Sequence, residues 1–248
     1  MTGLAQRLVE AIRTRTPLDP QESGLDAATA YDVQDEVVAA LGPAVVAAKL
    51  GLTSRAKQLQ MKVDEPLYGW MVSGTEIVRG EPLVTADLIQ PRVEPEIAFL
   101  TAHELGGSSV SAAHVVAATS AVMPAIDVLD SRYAGYSFTL PDVIADNSSA
   151  GRFLVGDPVD PSGVDLGVVG CVFSKNGEPI ATAAGAAVLG HPANAVAWFV
   201  RKLSERGRSL PAGSVVLAGA LTTAFPVAVG DSFSVEIDRL GALELAVR

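Results

Sequence analysis

The chain has 248 residues, of which 49% are hydrophobic and 19% charged, and its formal net charge is −10. That length fits one large domain or two small ones, and the composition belongs to a chain with a packed core rather than a disordered one. An acidic chain repels phosphate backbones, so nucleic acid is excluded as a natural partner. The single cysteine, Cys171, sits in the apolar run 168–173 and cannot form an internal disulfide. It reads as a small buried hydrophobe in a reducing compartment. Residues 1–16 carry Glu10 and alternate polar with apolar side chains, unlike a signal peptide. No apolar stretch is long enough to cross a bilayer. The expectation is a cytoplasmic protein with no membrane contact.

In chain order, Leu4, Leu8 and Ile12 recur at helical spacing and predict a helix over 3–14. Residues 16–24 are rich in Pro, Asp and Ser and read as a loop. Ala30, Val33, Val37 and Leu41 define a second helical face, closed by Gly42 and Pro43. Residues 45–50 predict a short strand that carries Lys49 and is broken by Gly51. Thr53 or Ser54 then caps a third helix through about Met61. From about residue 77 strands and turns dominate. A strand is predicted over 93–100, a helix over 111–121 and another strand-like run over 124–130. Asn176 and Gly177 lie between two apolar runs, which is the strongest local hairpin signal. Residues 192–203 read as a helix opened by proline, and 215–217, 232–237 and 243–247 as short strands. The fold class is α+β, with a helical region over 1–75 and a mainly antiparallel part over 76–248.

Glu94 and Glu96 flank Pro95 in a predicted strand. Residues i and i+2 share a strand face, about 6.6 Å apart. Two carboxylates so placed repel unless a cation separates them, and hard divalent ions take oxygen ligands. The same spacing fits a solvated strand face at least as well; the apolar continuation 97–100 shifts the balance a little toward a buried strand, and both readings stand at this point. Asp127 and Asp130, three residues apart, point to opposite sides of their run; one suits a buried site and the other an ion pair with Arg132. Lys49 either extends its ammonium to solvent from a strand end or orients a substrate carboxylate beside a metal. His103, His114 and His191 do not cluster, and no nucleophile elbow, phosphate loop or dinucleotide fingerprint is present.

These residues resemble the hydratase/decarboxylase branch of the fumarylacetoacetate hydrolase-like superfamily over essentially the whole chain. The matching stretches are KLGLTS at 49–54, VDEP at 63–66, PRVEPEIAF at 91–99, DSR at 130–132, ADNSS at 145–149 and VLGHPANAVAW at 188–198. The resemblance implies a β-roll. It also implies Mg²⁺ or Mn²⁺ held by Glu94, Glu96 and Asp127, although the family usually has glutamate at the last position. Lys49 would lie over the chelated substrate, with Ser148 lining the pocket. Homo-oligomers and a complex with a pathway hydratase are further implications.

Two activities share that scaffold, both on small 2-oxo acids: hydration of 2-hydroxypenta-2,4-dienoate and decarboxylation of 2-oxo-3-hexenedioate. The hydratases resembled carry aspartate where this chain has Leu67, and arginine where GALTTAFP at 219–226 has Thr223. Residues 131–133 and Arg152 also resemble the decarboxylase side. Hydration needs proton transfers that a pocket carboxylate can mediate. Decarboxylation needs an electron sink instead, and an apolar residue 67 avoids repelling the leaving carboxylate. Arg152 is the candidate to steer that distal carboxylate. The decarboxylase is therefore the first expectation and the hydratase the second. An acylpyruvate-type carbon–carbon hydrolase and a non-catalytic partner subunit follow.

Overall fold

The computed structural model describes residues 1–20, 22–42, 44–61 and 63–248. Gln21 of the expected 16–24 loop and Pro43, expected to close the second helix, lie outside the described residues. The amphipathic helix α1 (Gly3–Thr14) is capped by the Thr2 side chain, which accepts from Ala5 N–H, and it buries Ala5, Leu8 and Val9. The helix α2 (Ala27–Leu41) is capped by Asp26 and buries Ala30, Val33 and Val37. Strand β1 (Val45–Gly51) follows, and then helix α3 (Arg55–Met61), where Ser54 Oγ accepts from Lys57 N–H. Next come β2 (Leu67–Val72) and β3 (Arg92–Thr101).

The expected helix over 111–121 is shorter than its alanine content suggested. Helix α4 spans Ala112–Ala117, and the chain enters strand β4 (Thr119–Leu129) two residues later. Alanine's helix preference is only a weak local bias, and pairing with β3 along the length of β4 outweighs that local propensity. Helix α5 (Leu140–Ala145) and strand β5 (Ala150–Val155) complete this part. Strands β6 (Gly170–Lys175) and β7 (Glu178–Ala184) form the expected hairpin; Asn176 and Gly177 have φ of 53° and 83°. Both central residues are left-handed, as a tight hairpin turn demands. Helix α6 (Pro192–Glu205) and strands β8 (Val215–Leu217), β9 (Phe225–Pro226), β10 (Ser232–Ile237) and β11 (Gly241–Ala246) close the chain.

The strands make two sheets. One has seven strands in the order β2-β1-β8-β3-β4-β5, with β9 also pairing β3; the other has four in the order β11-β10-β6-β7. All pairs are antiparallel except β1 with β8. The terminal strands β2 and β5 of the larger sheet approach each other, so that sheet curls into a roll. The fold is the α+β roll expected from sequence. A division at residue 75 nevertheless runs through this sheet, because β1 and β2 are two of its strands. The helical start and the later strands therefore share one core.

Strand alternation sorts the residues of the roll. Val93, Ile97 and Phe99 of β3 and Val122, Ile126 and Val128 of β4 face outward into the main core, which also takes in Phe173, Phe233 and Val235 of the smaller sheet. Ala47, Met71, Ala98, Met123, Ala125, Phe153 and Leu217 form a second, smaller cluster inside the roll. Glu94, Glu96 and Asp127 lie on this inner face, next to that cluster.

Candidate metal centre

Strand register assembles the site. Glu94 of β3 stands opposite Asp127 of β4, and Glu96 stands opposite Ala125, so the three carboxylates share the inner face. Lys49 of β1 stands level with Leu217 of β8, which in turn faces Ala98 of β3. The relative exposures are 6% for Glu94, 0% for Glu96 and Asp127, and 1% for Lys49. One oxygen from each of the three acids lies within 4.8 Å of the others.

Such a cluster is costly without a counter-charge. Lys49 Nζ lies 2.7 Å from Asp127 Oδ2 and donates to Ser148 O at 3.1 Å. Gly219 N–H donates to Glu96 Oε2 at 2.6 Å. Among the described residues, Glu96 Oε1 and Asp127 Oδ1 have no hydrogen-bond partner. Two buried carboxylate oxygens without partners, beside a third acid, fit a hard divalent ion. The proton balance agrees. Burial raises Glu94 to about 7, outweighing the attraction of Lys49. Burial and the neighbouring acids Asp127 and Glu94 push Glu96 well above the carboxylate range. Burial also raises Asp127, despite Lys49. Burial opposes charge on Lys49, but Asp127, Glu94 and Glu96 override it and hold the lysine above its ordinary value. Lys49 is thus a fixed cation rather than a base.

Two glycines make room for this arrangement. A Cβ on Gly69 would meet Asn147 O at 2.4 Å and Ser148 Cβ at 2.8 Å. That space admits a turn at Asn147–Ser149 whose three residues all have positive φ, at 52°, 56° and 53°. Asn147 clamps it: Oδ1 accepts from Trp70 N–H and Nδ2 donates to Trp70 O, both at 2.8 Å. The turn in turn delivers Ser148 O to Lys49. Gly219 has φ of 109°, and a Cβ there would strike Thr53 Oγ1 at 1.9 Å, so glycine is needed where its N–H meets Glu96.

A cavity of about 320 Å³ opens over the centre. Lys49, Leu67, Glu94 and Ser148 line it, together with Lys57 and Arg92. Among the described lining residues Glu94 is the sole carboxylate. Arg92 extends the ladder of Glu94 and Glu96 by one more i+2 step along β3, a periodicity legible in sequence though not singled out by the acid pair itself. Lys57 comes from α3, whose docking no local pattern reveals.

Arg152 is not brought to this cavity, contrary to expectation. It stands opposite Val128, on the outer face of the sheet, and lines a separate cleft with Arg13, Arg15 and Asp130. Arg132 differs as well. Its guanidinium pairs with buried Asp146, and its Nη1 donates to the Asp130 backbone carbonyl rather than to the carboxylate. Asp130 Oδ1 instead accepts from Ile89 and Gln90 N–H at 2.9 and 2.8 Å.

A roll carrying a carboxylate triad of this kind has known relatives. The model of the fumarylacetoacetate (FAA) hydrolase C-terminal family matches residues 38–248. The chain belongs to that family of enzymes. Over 217 residues it is 44% identical to 4-oxalocrotonate decarboxylase of Pseudomonas sp. (strain CF600), covering 86% of this chain and 82% of the relative. Over 246 residues it is 36% identical to 2-keto-4-pentenoate hydratase of Paraburkholderia xenovorans (strain LB400), covering 96% and 91%. The structure of 4-oxalocrotonate decarboxylase from Pseudomonas putida G7, complexed with magnesium and adipate, matches with a TM-score of 0.94 at 36% identity, covering 99% of this chain and 96% of that one.

Proposed function

We propose that this protein decarboxylates 2-oxo-3-hexenedioate to 2-hydroxypenta-2,4-dienoate with Mg²⁺ or Mn²⁺ held by Glu94, Glu96 and Asp127. The observation that carries this reading is the cavity wall: among the described residues it offers no carboxylate beyond Glu94, and Leu67 is buried where the hydratases that the sequence resembles carry aspartate. Relatives named as decarboxylases and a magnesium-bound neighbour support it.

The ion, when bound, supplies Lewis acidity to a chelating 2-oxo carboxylate. The chain's own residues do the rest. Lys49, fixed by Asp127 and Ser148 O, adds a permanent positive charge beside the 2-oxygen, where electrons arrive as carbon dioxide leaves. Leu67, a buried apolar side chain of the lining, places no negative charge next to the departing carboxylate. Ser148 lines the pocket, and its backbone carbonyl sets the lysine's direction.

Hydration of 2-hydroxypenta-2,4-dienoate is the second reading, favoured by the hydratase relatives that span nearly the whole chain. The test is an assay with each compound, with Mg²⁺ or Mn²⁺ and again with chelator, trapping carbon dioxide. Metal-dependent carbon dioxide release is the expected result. Loss of the dienoate without it would establish the hydratase instead.

A further inference from the structure

We propose that Arg92 is the specificity-determining residue of this site, binding the distal carboxylate of a dicarboxylate substrate, with Lys57 as a second cation of the cavity lining. This rests on the reaction proposed above. Along β3, Glu96 is fully buried, Glu94 nearly so and Arg92 only partly. The inner face of that strand thus leads from the floor of the cavity to its mouth. Arg92 lies one i+2 step beyond Glu94, about 6.6 Å along the strand. That is the length scale separating the two ends of a six-carbon diacid.

The arrangement of Arg92 suits the task. Its guanidinium lies over the Tyr136 ring at 4.1 Å from the centroid, which fixes its plane and leaves its edge to form a two-pronged carboxylate contact. Among the described residues no carboxylate forms an ion pair with Arg92 or Lys57, whereas Lys49 is committed to Asp127. Charge balance points the same way. With the ion bound and the three carboxylates ionised, the divalent ion and Lys49 cancel the triad. Arg92 and Lys57 then leave two positive charges facing the cavity. A dicarboxylate neutralises both, and a monocarboxylate leaves one uncompensated.

The experiment measures binding of adipate and of pentanoate by calorimetry in Mg²⁺, for the wild type, Arg92→Gln, Arg92→Lys and Lys57→Gln. Neither ligand has a 2-oxo group to react, so the readout is independent of turnover. Arg92→Gln should weaken adipate about 30-fold, the scale of one lost charged hydrogen-bonded pair. Pentanoate should change by less than about fivefold. Arg92→Lys should recover part of the adipate affinity, and Lys57→Gln should lose less than Arg92→Gln. Equal losses for both ligands, or a wild type that binds adipate no tighter than pentanoate, would overturn the assignment. Turnover of 2-oxo-3-hexenedioate by the wild type is followed in parallel. Selective adipate loss without any turnover would refute the reaction and leave the Arg92 assignment standing.

Discussion

Glu94 of β3 and Asp127 of β4 stand directly opposite each other in an antiparallel pair, with Lys49 Nζ 2.7 Å from the Asp127 carboxylate. Like charges placed opposite on a sheet normally destabilise it. Here both are buried and Glu96 adds a third, so the pairing makes sense as a cation site. The register sets Asp127 level with Glu94, and one oxygen of each of the three acids lies within 4.8 Å of the others despite the short aspartate arm.

Replacing Glu96 with Gln should abolish metal-dependent turnover. Mg²⁺ affinity should fall by more than the roughly 10–100-fold that loss of an outer-shell partner costs. The metal-free protein should melt no lower than wild type, because the substitution removes a buried carboxylate with an unpartnered oxygen. Calorimetric Mg²⁺ titration and thermal denaturation check the two halves. Unchanged Mg²⁺ affinity would remove Glu96 from the site.

The pH dependence has a defined sign. Burial raises Glu94 to about 7 from an ordinary value of 4.5, and burial with the neighbouring acids holds Glu96 well above the same ordinary value. Between those values the folded, metal-free protein holds protons that the unfolded chain has released. A folded acid pKa above the unfolded one makes stability greatest below the unfolded value and erodes it as pH rises through the folded value. The metal-free protein should therefore lose stability from pH 4.5 to about 7. Mg²⁺ should bind more tightly across the same window and release protons as it does. Melting curves with and without Mg²⁺ across that range are the measurement.

Lys49→Met separates catalysis from metal binding. The cation beside the reacting oxygen is lost, so kcat should fall about 100- to 1,000-fold, the scale of a lost oxyanion donor. Removing a positive charge from the triad should leave Mg²⁺ affinity intact or stronger. Steady-state kinetics and Mg²⁺ titration on one preparation decide it. Loss of Mg²⁺ binding together with turnover would mean that Lys49 acts by holding the carboxylates in place.

Leu67→Asp should slow decarboxylation at least about tenfold, because it places a charge in a dry wall beside the leaving carboxylate. Carbon dioxide release at saturating substrate is the readout. An unchanged rate would mean that position 67 does not face the departing group.

Gly69→Ala tests the support of the site. The added methyl meets Asn147 O at 2.4 Å, so the Asn147–Ser149 turn must shift. A stability loss of about 1–3 kcal/mol is expected from overpacking. A fall in kcat should accompany it, as Ser148 O leaves Lys49. Denaturant unfolding and kinetics report both, and a destabilised variant with full kcat would uncouple the turn from catalysis.

Much of this was written locally in the chain. The helical faces of α1 and α2, the Asn176–Gly177 turn and the proline-opened α6 depend on neighbours within a few residues. The shared face of Glu94 and Glu96 follows from strand alternation alone. By contrast, the parallel pairing of β1 with β8 joins segments far apart in sequence, and that pairing helps bring Lys49 to the acids. The choice of Asp146 over Asp130 as the partner of Arg132 depends on where the loop after α5 returns. The choice of Arg92 over Arg152 to line the cavity depends on which face of the curled sheet each occupies. Periodicity says that residues share a face; only the register between distant strands, fixed by burying both faces of the sheet, says which face meets the cavity.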